Sequence, residues 1–449
     1  LSSIQSTRMP LDNLEAYWLP FTPNRYFKEH PKMVVSAKGA YYRTNDGREL
    51  FDCLSGMWCC PLGHAHPKIV EAFTRQAQTL DYAPAFQVGS PVTFQLAERI
   101  AALAPEGLEQ VFFVNSGSEA VDSALKIALS YHRARGNAGR FRMIGRERAY
   151  HGVGFGGISV GGMVANRKAY GAAMLPGVDH MPHTWNPSQM AFSKGEPTWG
   201  LHLVEELERI IALHDASSIA AVIVEPVQGS TGLIVPPAGY LKRLREICTR
   251  HGILLIFDEV ITGFGRLGEN FAAQKFDVKP DMITFAKAIT NGTIPLGGVI
   301  VTDEIYRTCT NIDVPSHMAE LFHGYTYSGH PMATAVGVAS LDVYREEGLF
   351  SRAQDLSKVL ETAVHGLKGE PGVMDIRNIG LAAAVELEPV AGEPGLRAFR
   401  VFENAFEKRH LFRVTGDAVA MAPPFIATPQ EIEDMIQALR ESIRVAFAN

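Results

Sequence analysis

Residues Gly252–Gly268 read GILLIFDEVITGFGRLG, and a second apolar segment, PDMITFAK, follows from Pro280 and ends on Lys287. Within the first stretch the apolar run Ile253 to Phe257 meets an acid pair, Asp258-Glu259. A short unbroken apolar run bounded by glycine predicts a strand buried on both faces, as in a parallel sheet. Asp258 then stands at the carboxyl end of its strand, where open α/β sheets place their ligand chemistry. The second segment predicts a neighbouring strand that delivers a lysine at the same end. An apolar strand ending in Asp-Glu also describes one half of an ATPase site. That reading needs a phosphate loop ending in Gly-Lys-Ser/Thr, and the chain contains no Gly-Lys dipeptide.

A buried carboxylate and a strand-borne lysine suit pyridoxal phosphate (PLP). The lysine binds the aldehyde covalently, and the carboxylate pairs with the pyridinium nitrogen and keeps it protonated. In residues and spacing, LLIFDEVITGFGRLG and PDMITFAKAITNG resemble the class III (ω-type) aminotransferases. The resemblance implies an α/β chain of PLP fold type I, with a large domain on a mostly parallel central sheet and a smaller α/β domain. It implies Lys287 and Asp258 as the catalytic pair.

Composition bounds the alternatives. At 449 residues, with 46% hydrophobic and 20% charged positions, the chain is ordinary for a globular enzyme of two or three domains. A net charge of −6 gives no reason to expect nucleic acid or an anionic membrane as partner. No apolar run reaches the length of a membrane span, and the first residues lack the apolar core of a signal peptide. Because the chain begins with Leu, a few initial residues are expected to be missing. Five cysteines, an odd and sparse set, fit a reducing cytoplasm better than a disulfide framework. Cys59, Cys60, His64 and His66 lie close in sequence, but their spacing is not that of a zinc finger or ribbon, so no metal is expected.

Along the chain, short strands flank Lys38-Gly39, and Pro67 starts a helix at its first turn. A strand over 109–114 enters the turn Asn115-Ser116-Gly117-Ser118-Glu119-Ala120, ahead of a helix expected from Val121. Free N–H groups and the positive end of a helix dipole suit a phosphate there, although Ser-x-x-Glu is also a plain capping box. The resemblance makes this turn the cofactor phosphate cup and assigns Gly117 and Ser118 to it. Tyr150 precedes a Gly-rich stretch, GVGFGGIS, expected to be a loop. A core tyrosine would look the same; the resemblance implies that Tyr150 stacks on one face of the pyridine ring and Val260 presses on the other. It gives Thr326, in FHGYTYSGHP, to the phosphate of a neighbouring subunit, implying a homodimer with shared sites that could pair into a tetramer.

Trp58 reads by itself as a buried structural residue, and Arg413 as a solvated arginine before a turn. In the family, the tryptophan of Leu-Ser-Gly-x-Trp lines the substrate pocket. The arginine of Arg-x-Thr-Gly-Asp grips the substrate carboxylate in the branch using ω-amino acids and pyruvate. Phe21 and Phe86 could join Trp58 around the amine, and Glu225 and Gln228 could support the ring hydroxyl. Relatives acting on 4-aminobutyrate or ornithine carry a glutamate where this chain has Ser230; its absence points to a small keto acid. The expected division is an N-terminal segment 1–60 belonging to the small domain, a large PLP-binding domain 61–329 and a C-terminal small domain 330–449. The expected activity is transamination between an ω-amino acid such as β-alanine, or a related amine, and pyruvate. Three alternatives stay open: a 2-oxoglutarate-linked class III aminotransferase, a decarboxylase or aminomutase on the same scaffold, and a non-enzymatic PLP-fold protein.

Overall fold

Ile219–Val224 and Ile253–Phe257 contain no polar side chain, so each must sit with both faces covered. The computed structural model, which describes residues 13–448, puts them side by side in the middle of a seven-stranded sheet. The first twelve residues, where the absence of a signal-peptide core was read, lie outside the described residues.

After a short helix, Asn24–Glu29, comes an antiparallel meander of β1 (Val34–Lys38), β2 (Tyr41–Thr44) and β3 (Glu49–Asp52). The central sheet follows as β4 (Leu108–Val114), β5 (Arg142–Arg146), β6 (Val178–Met181), β7 (Ile219–Val224), β8 (Leu254–Asp258), β9 (Met282–Phe285) and β10 (Gly297–Thr302). Its spatial order is β4-β10-β9-β8-β7-β5-β6. Every neighbouring pair from β9 through β6 is parallel, and only β10 runs against both of its neighbours. Alternation along each strand then feeds two cores. Leu254 and Ile256 of β8 face the helix Gly117–Ala134, whereas Leu255 and Phe257 join the larger core on the opposite side.

A further antiparallel sheet, β11 (Val373–Asn378), β12 (Ala383–Leu387), β14 (Arg413–Thr415) and β15 (Ala418–Met421), closes the C-terminal part. Between them β13 (His410–Leu411) pairs in parallel with β3, so the two ends of the chain share one sheet.

Local expectations fail where packing overrides sequence pattern. The Gly-rich stretch after Tyr150 is a helix over Phe155–Val160 rather than a loop. Its glycines allow close approach, not flexibility: a Cβ on Gly154 or Gly156 would fall 2.2 or 2.5 Å from a carboxylate oxygen of Asp122. The long helix begins at Gly117, four positions before the expected start, because Ser116 caps it by accepting from Glu119 N–H at 3.2 Å. The segment between β3 and Pro67 holds a left-handed turn, Ser55–Trp58, that no residue pattern announces.

Candidate active site

The carboxyl ends of the parallel strands converge on one cavity of about 140 Å³. It is lined by Gly117 and Ser118 from the turn after β4, Tyr150, His151 and Gly152 after β5, Glu225 and Ser230 after β7, Asp258, Val260 and Ile261 after β8, and Lys287 after β9.

Asp258 is the best-held group in it. His151 Nδ1 donates to Oδ2 at 2.7 Å, while Thr284 Oγ1 and Val260 N–H donate to Oδ1 at 3.1 and 3.2 Å. Carboxylate and imidazole are both buried, and His151 Nε2 has no partner among the described residues. A buried carboxylate held by three donors is fixed in direction, which suits it to pairing with a cationic ring nitrogen.

Lys287 follows β9 with φ +52°, the left-handed region that side chains rarely occupy. Burial pulls its ammonium below the usual lysine range, against the opposing charges of Cys59, Asp258 and Glu225. The backbone that follows it is tied down twice. Tyr344 Oη donates to Ala288 O at 2.9 Å, and Asn291 clamps the 62–63 peptide by accepting from Leu62 N–H and donating to Gly63 O.

At the start of the 117–134 helix, the Gly117 and Ser118 amides have no protein acceptor among the described residues. A Cβ on Gly117 would lie 2.9 Å from Val260 Cγ1, so glycine keeps that approach open. Ser118 Oγ accepts from Val153 N–H at 3.1 Å, tying the helix to the Tyr150 strand end. Unspent amides on a long helix favour an anion. Tyr150 N–H donates to Glu225 Oε1 at 2.9 Å, and Glu225 Oε2 accepts from Gly229 N–H at 3.2 Å. Burial, with Asp258 alongside, pushes the Glu225 carboxyl up to about 7, although His151 pulls the other way.

Six of the nine expected site residues therefore line a single cavity: Gly117, Ser118, Tyr150, Asp258, Val260 and Lys287. Three do not. Trp58 is 4% exposed and packs in the core beside the Arg266 guanidinium, 5.9 Å from its ring centroid. Thr326 lies on an exposed segment, its carbonyl accepting from Tyr82 Oη at 3.1 Å. Arg413, on β14, makes no ion pair among the described residues; burial lowers its guanidinium, and Tyr150 is the group whose charge would act on it. His151 and Ile261 line the cavity with no role read from sequence; a histidine directly after Tyr150 was the available signal for the first. His64 pairs with Asp52 at 2.8 Å, and no three His, Cys, Asp or Glu side chains converge on a metal position among the described residues.

Unspent amides at a helix start, the aromatic Tyr150, the firmly held Asp258 carboxylate and the buried Lys287 amine share one cavity, and this donor set fits PLP. The class-III aminotransferase family model matches residues 24–443. The chain is 55% identical over 430 residues to an omega-aminotransferase of Caulobacter vibrioides, covering 96% of this chain and 97% of that one. It is 48% identical over 432 residues to a beta-alanine–pyruvate aminotransferase of Pseudomonas aeruginosa, covering 96% of each. Among solved structures, a PLP-bound amine transaminase from an uncultivated Pseudomonas species superposes with a TM-score of 0.89 at 35% identity, over 96% of this chain and 98% of the other. The architecture is accordingly PLP fold type I, and the chain belongs to the class-III aminotransferases, whose cofactor is pyridoxal phosphate.

Proposed function

We propose that the enzyme transfers an amino group between an ω-amino acid such as β-alanine, or a related primary amine, and pyruvate. The observation that carries this reading is Arg413. Its guanidinium is half-buried and close enough to Tyr150 to feel its charge, and with no acid paired to it among the described residues it suits a carboxylate from outside the chain. Ser230 lines the cavity where a 2-oxoglutarate-using relative would carry a glutamate, which favours the smaller keto acid. The relatives named for β-alanine, ω-amino acids and pyruvate, at 46–55% identity, support the same substrates.

The bound cofactor supplies the electron sink that lets a carbon bonded to nitrogen give up its proton. The protein's own groups do the rest. Lys287 would hold the cofactor through its aldehyde, and its Nζ, in the neutral form, is the group that would take the substrate proton and return it. The burial that lowers its ammonium favours that neutral form. Asp258 would pair with the ring nitrogen, His151 keeps Asp258 aimed, and Tyr150 and Val260 would pack against the ring. Gly117 and Ser118 bind the phosphate through backbone N–H groups. Trp58 lies outside the described cavity, but the turn that carries it brings Cys59 within electrostatic reach of Lys287, which supports the indole as the wall on the amine side of the pocket.

The working molecule is a cytoplasmic homodimer in which Thr326 serves the partner's phosphate. Support comes from an exposed apolar surface around it that includes Phe322 at 97%, Phe94 at 71% and Phe86 at 57%. Residues 61–329 form the large domain, and the described parts of 1–60 and 330–449 form the small one, a division in keeping with the β3–β13 pairing. Arg413→Ala tests the substrate reading. It should lower kcat/KM for alanine with pyruvate by about a hundredfold, the cost of a lost charge-assisted pair, and change that for an amine lacking a carboxylate far less. Equal losses with both would make Arg413 structural.

A further inference from the structure

Ser55, Gly56, Met57 and Trp58 have φ of +48, +54, +69 and +68°, four consecutive residues in the left-handed region. The turn is closed by Trp58 N–H donating to Leu54 O at 2.8 Å and by Cys59 and Cys60 N–H donating to Ser55 O at 2.7 and 2.8 Å. Three of the four residues carry side chains that oppose this hand, so surrounding groups must hold it.

Two buried charged side chains do so. Asp52 accepts from Leu54 N–H at 3.1 Å and from Gly56 N–H at 2.6 Å, and His64 Nε2 fixes the same carboxylate at 2.8 Å. Arg266, 3% exposed, comes from the loop that begins at Asp258. Its Nη2 donates to Ser55 Oγ at 3.0 Å and its Nη1 to the carbonyls of Leu381 and Pro423 at 3.1 and 2.9 Å. Ser55 Oγ in turn donates to Ala422 O at 2.7 Å. No carboxylate pairs with Arg266 among the described residues; its guanidinium instead lies 4.7 Å from the Phe425 ring centroid and 5.9 Å from that of Trp58. On its other side the turn abuts the Lys287 loop, because a Cβ on Gly292 would lie 2.9 Å from Cys60 Sγ and 3.1 Å from Cys59 Cβ.

We propose that Arg266, acting through Ser55, is a positioning residue that holds the left-handed turn and thereby fixes Trp58 against the amine side of the pocket. This specificity role rests on the proposed place of Trp58 in the substrate site. Arg266 reaches no substrate itself. It transmits the placement of the Asp258 loop and the C-terminal segments to the one large aromatic side chain on the turn. Loosening the clamp frees the turn to relax to right-handed backbone, moves the indole and widens the pocket.

The test uses holoenzyme carrying Ser55→Ala, with Arg266→Lys as a second variant that keeps the charge, each made in the native chain and in a Trp58→Ala background. Near-ultraviolet circular dichroism reads the indole environment. The ratio of kcat/KM for a bulky amine, 1-phenylethylamine, to that for β-alanine reads the pocket. The expected result is a dichroism change in S55A that disappears in the Trp58→Ala background, and a shift of the ratio toward the bulky amine by about tenfold. That shift should be absorbed, not multiplied, when Trp58 is already gone. Lower melting temperatures with no Trp58-dependent dichroism change, or ratio shifts that multiply independently, would overturn the proposal. A Trp58-dependent dichroism change, with a ratio that neither S55A nor W58A moves, would uphold Arg266 as the positioning residue and overturn Trp58 as a wall of the substrate pocket.

Discussion

Glu225 shows how a single buried acid records its surroundings. Its folded-state carboxyl is raised to about 7, first by burial and then by Asp258. A raised folded value means that the native chain binds this proton more tightly than the unfolded chain does. The stability from it is therefore complete below the ordinary carboxyl range near 4.5 and is lost as pH rises through 7, an effect of about 3 kcal/mol at most. The melting midpoint of cofactor-free protein should fall between pH 5 and 8, and less steeply in Glu225→Gln. Glu259, also raised to about 7 by burial, keeps some slope in the variant. Identical slopes would mean that Glu225 is not buried as described. Asp258 and Lys287 were legible in the sequence because each ends an apolar strand. His151 was not, because its pairing with Asp258 joins positions 107 residues apart and leaves no local pattern.

Helices and turns were legible where a local rule governs them. Strands β7 and β8 follow from their unbroken apolar runs, and the helix from Pro67 begins as its proline predicts. The Gly-rich helix and the left-handed turn were hidden because both depend on distant partners: Asp122 for the first, Asp52 and Arg266 for the second. Left-handed backbone costs about 1–2 kcal/mol per side-chain-bearing residue, so no local preference could have suggested it. The start of the 117–134 helix carries its own prediction. Gly117→Ala puts a methyl 2.9 Å from Val260 Cγ1, beside the amides proposed to bind the phosphate. It should weaken cofactor affinity by about tenfold, roughly 1.4 kcal/mol, in an equilibrium titration of cofactor-free protein. Unchanged affinity would place the phosphate elsewhere.

At the scale of the molecule, the mostly parallel sheet was readable from its buried strands, whereas the antiparallel insertion of β10 and the β3–β13 pairing were not. Both depend on connections between segments far apart in the chain. The proposed sharing of sites between two subunits predicts complementation. Lys287→Ala and Thr326→Ala homodimers should each be nearly inactive. A mixed dimer of the two pairs an intact Lys287 with an intact Thr326 in one of its sites, so activity should return on co-refolding. No recovery, with mixed dimers isolated, would make each site the property of one chain. The central claim, that this enzyme exchanges amino groups with pyruvate, is tested most directly by following the visible absorbance of the protein-bound cofactor. Added L-alanine should bleach it and pyruvate should restore it, with L-glutamate having little effect. Bleaching by L-glutamate alone would contradict the account and remove Ser230 as a guide to the acceptor.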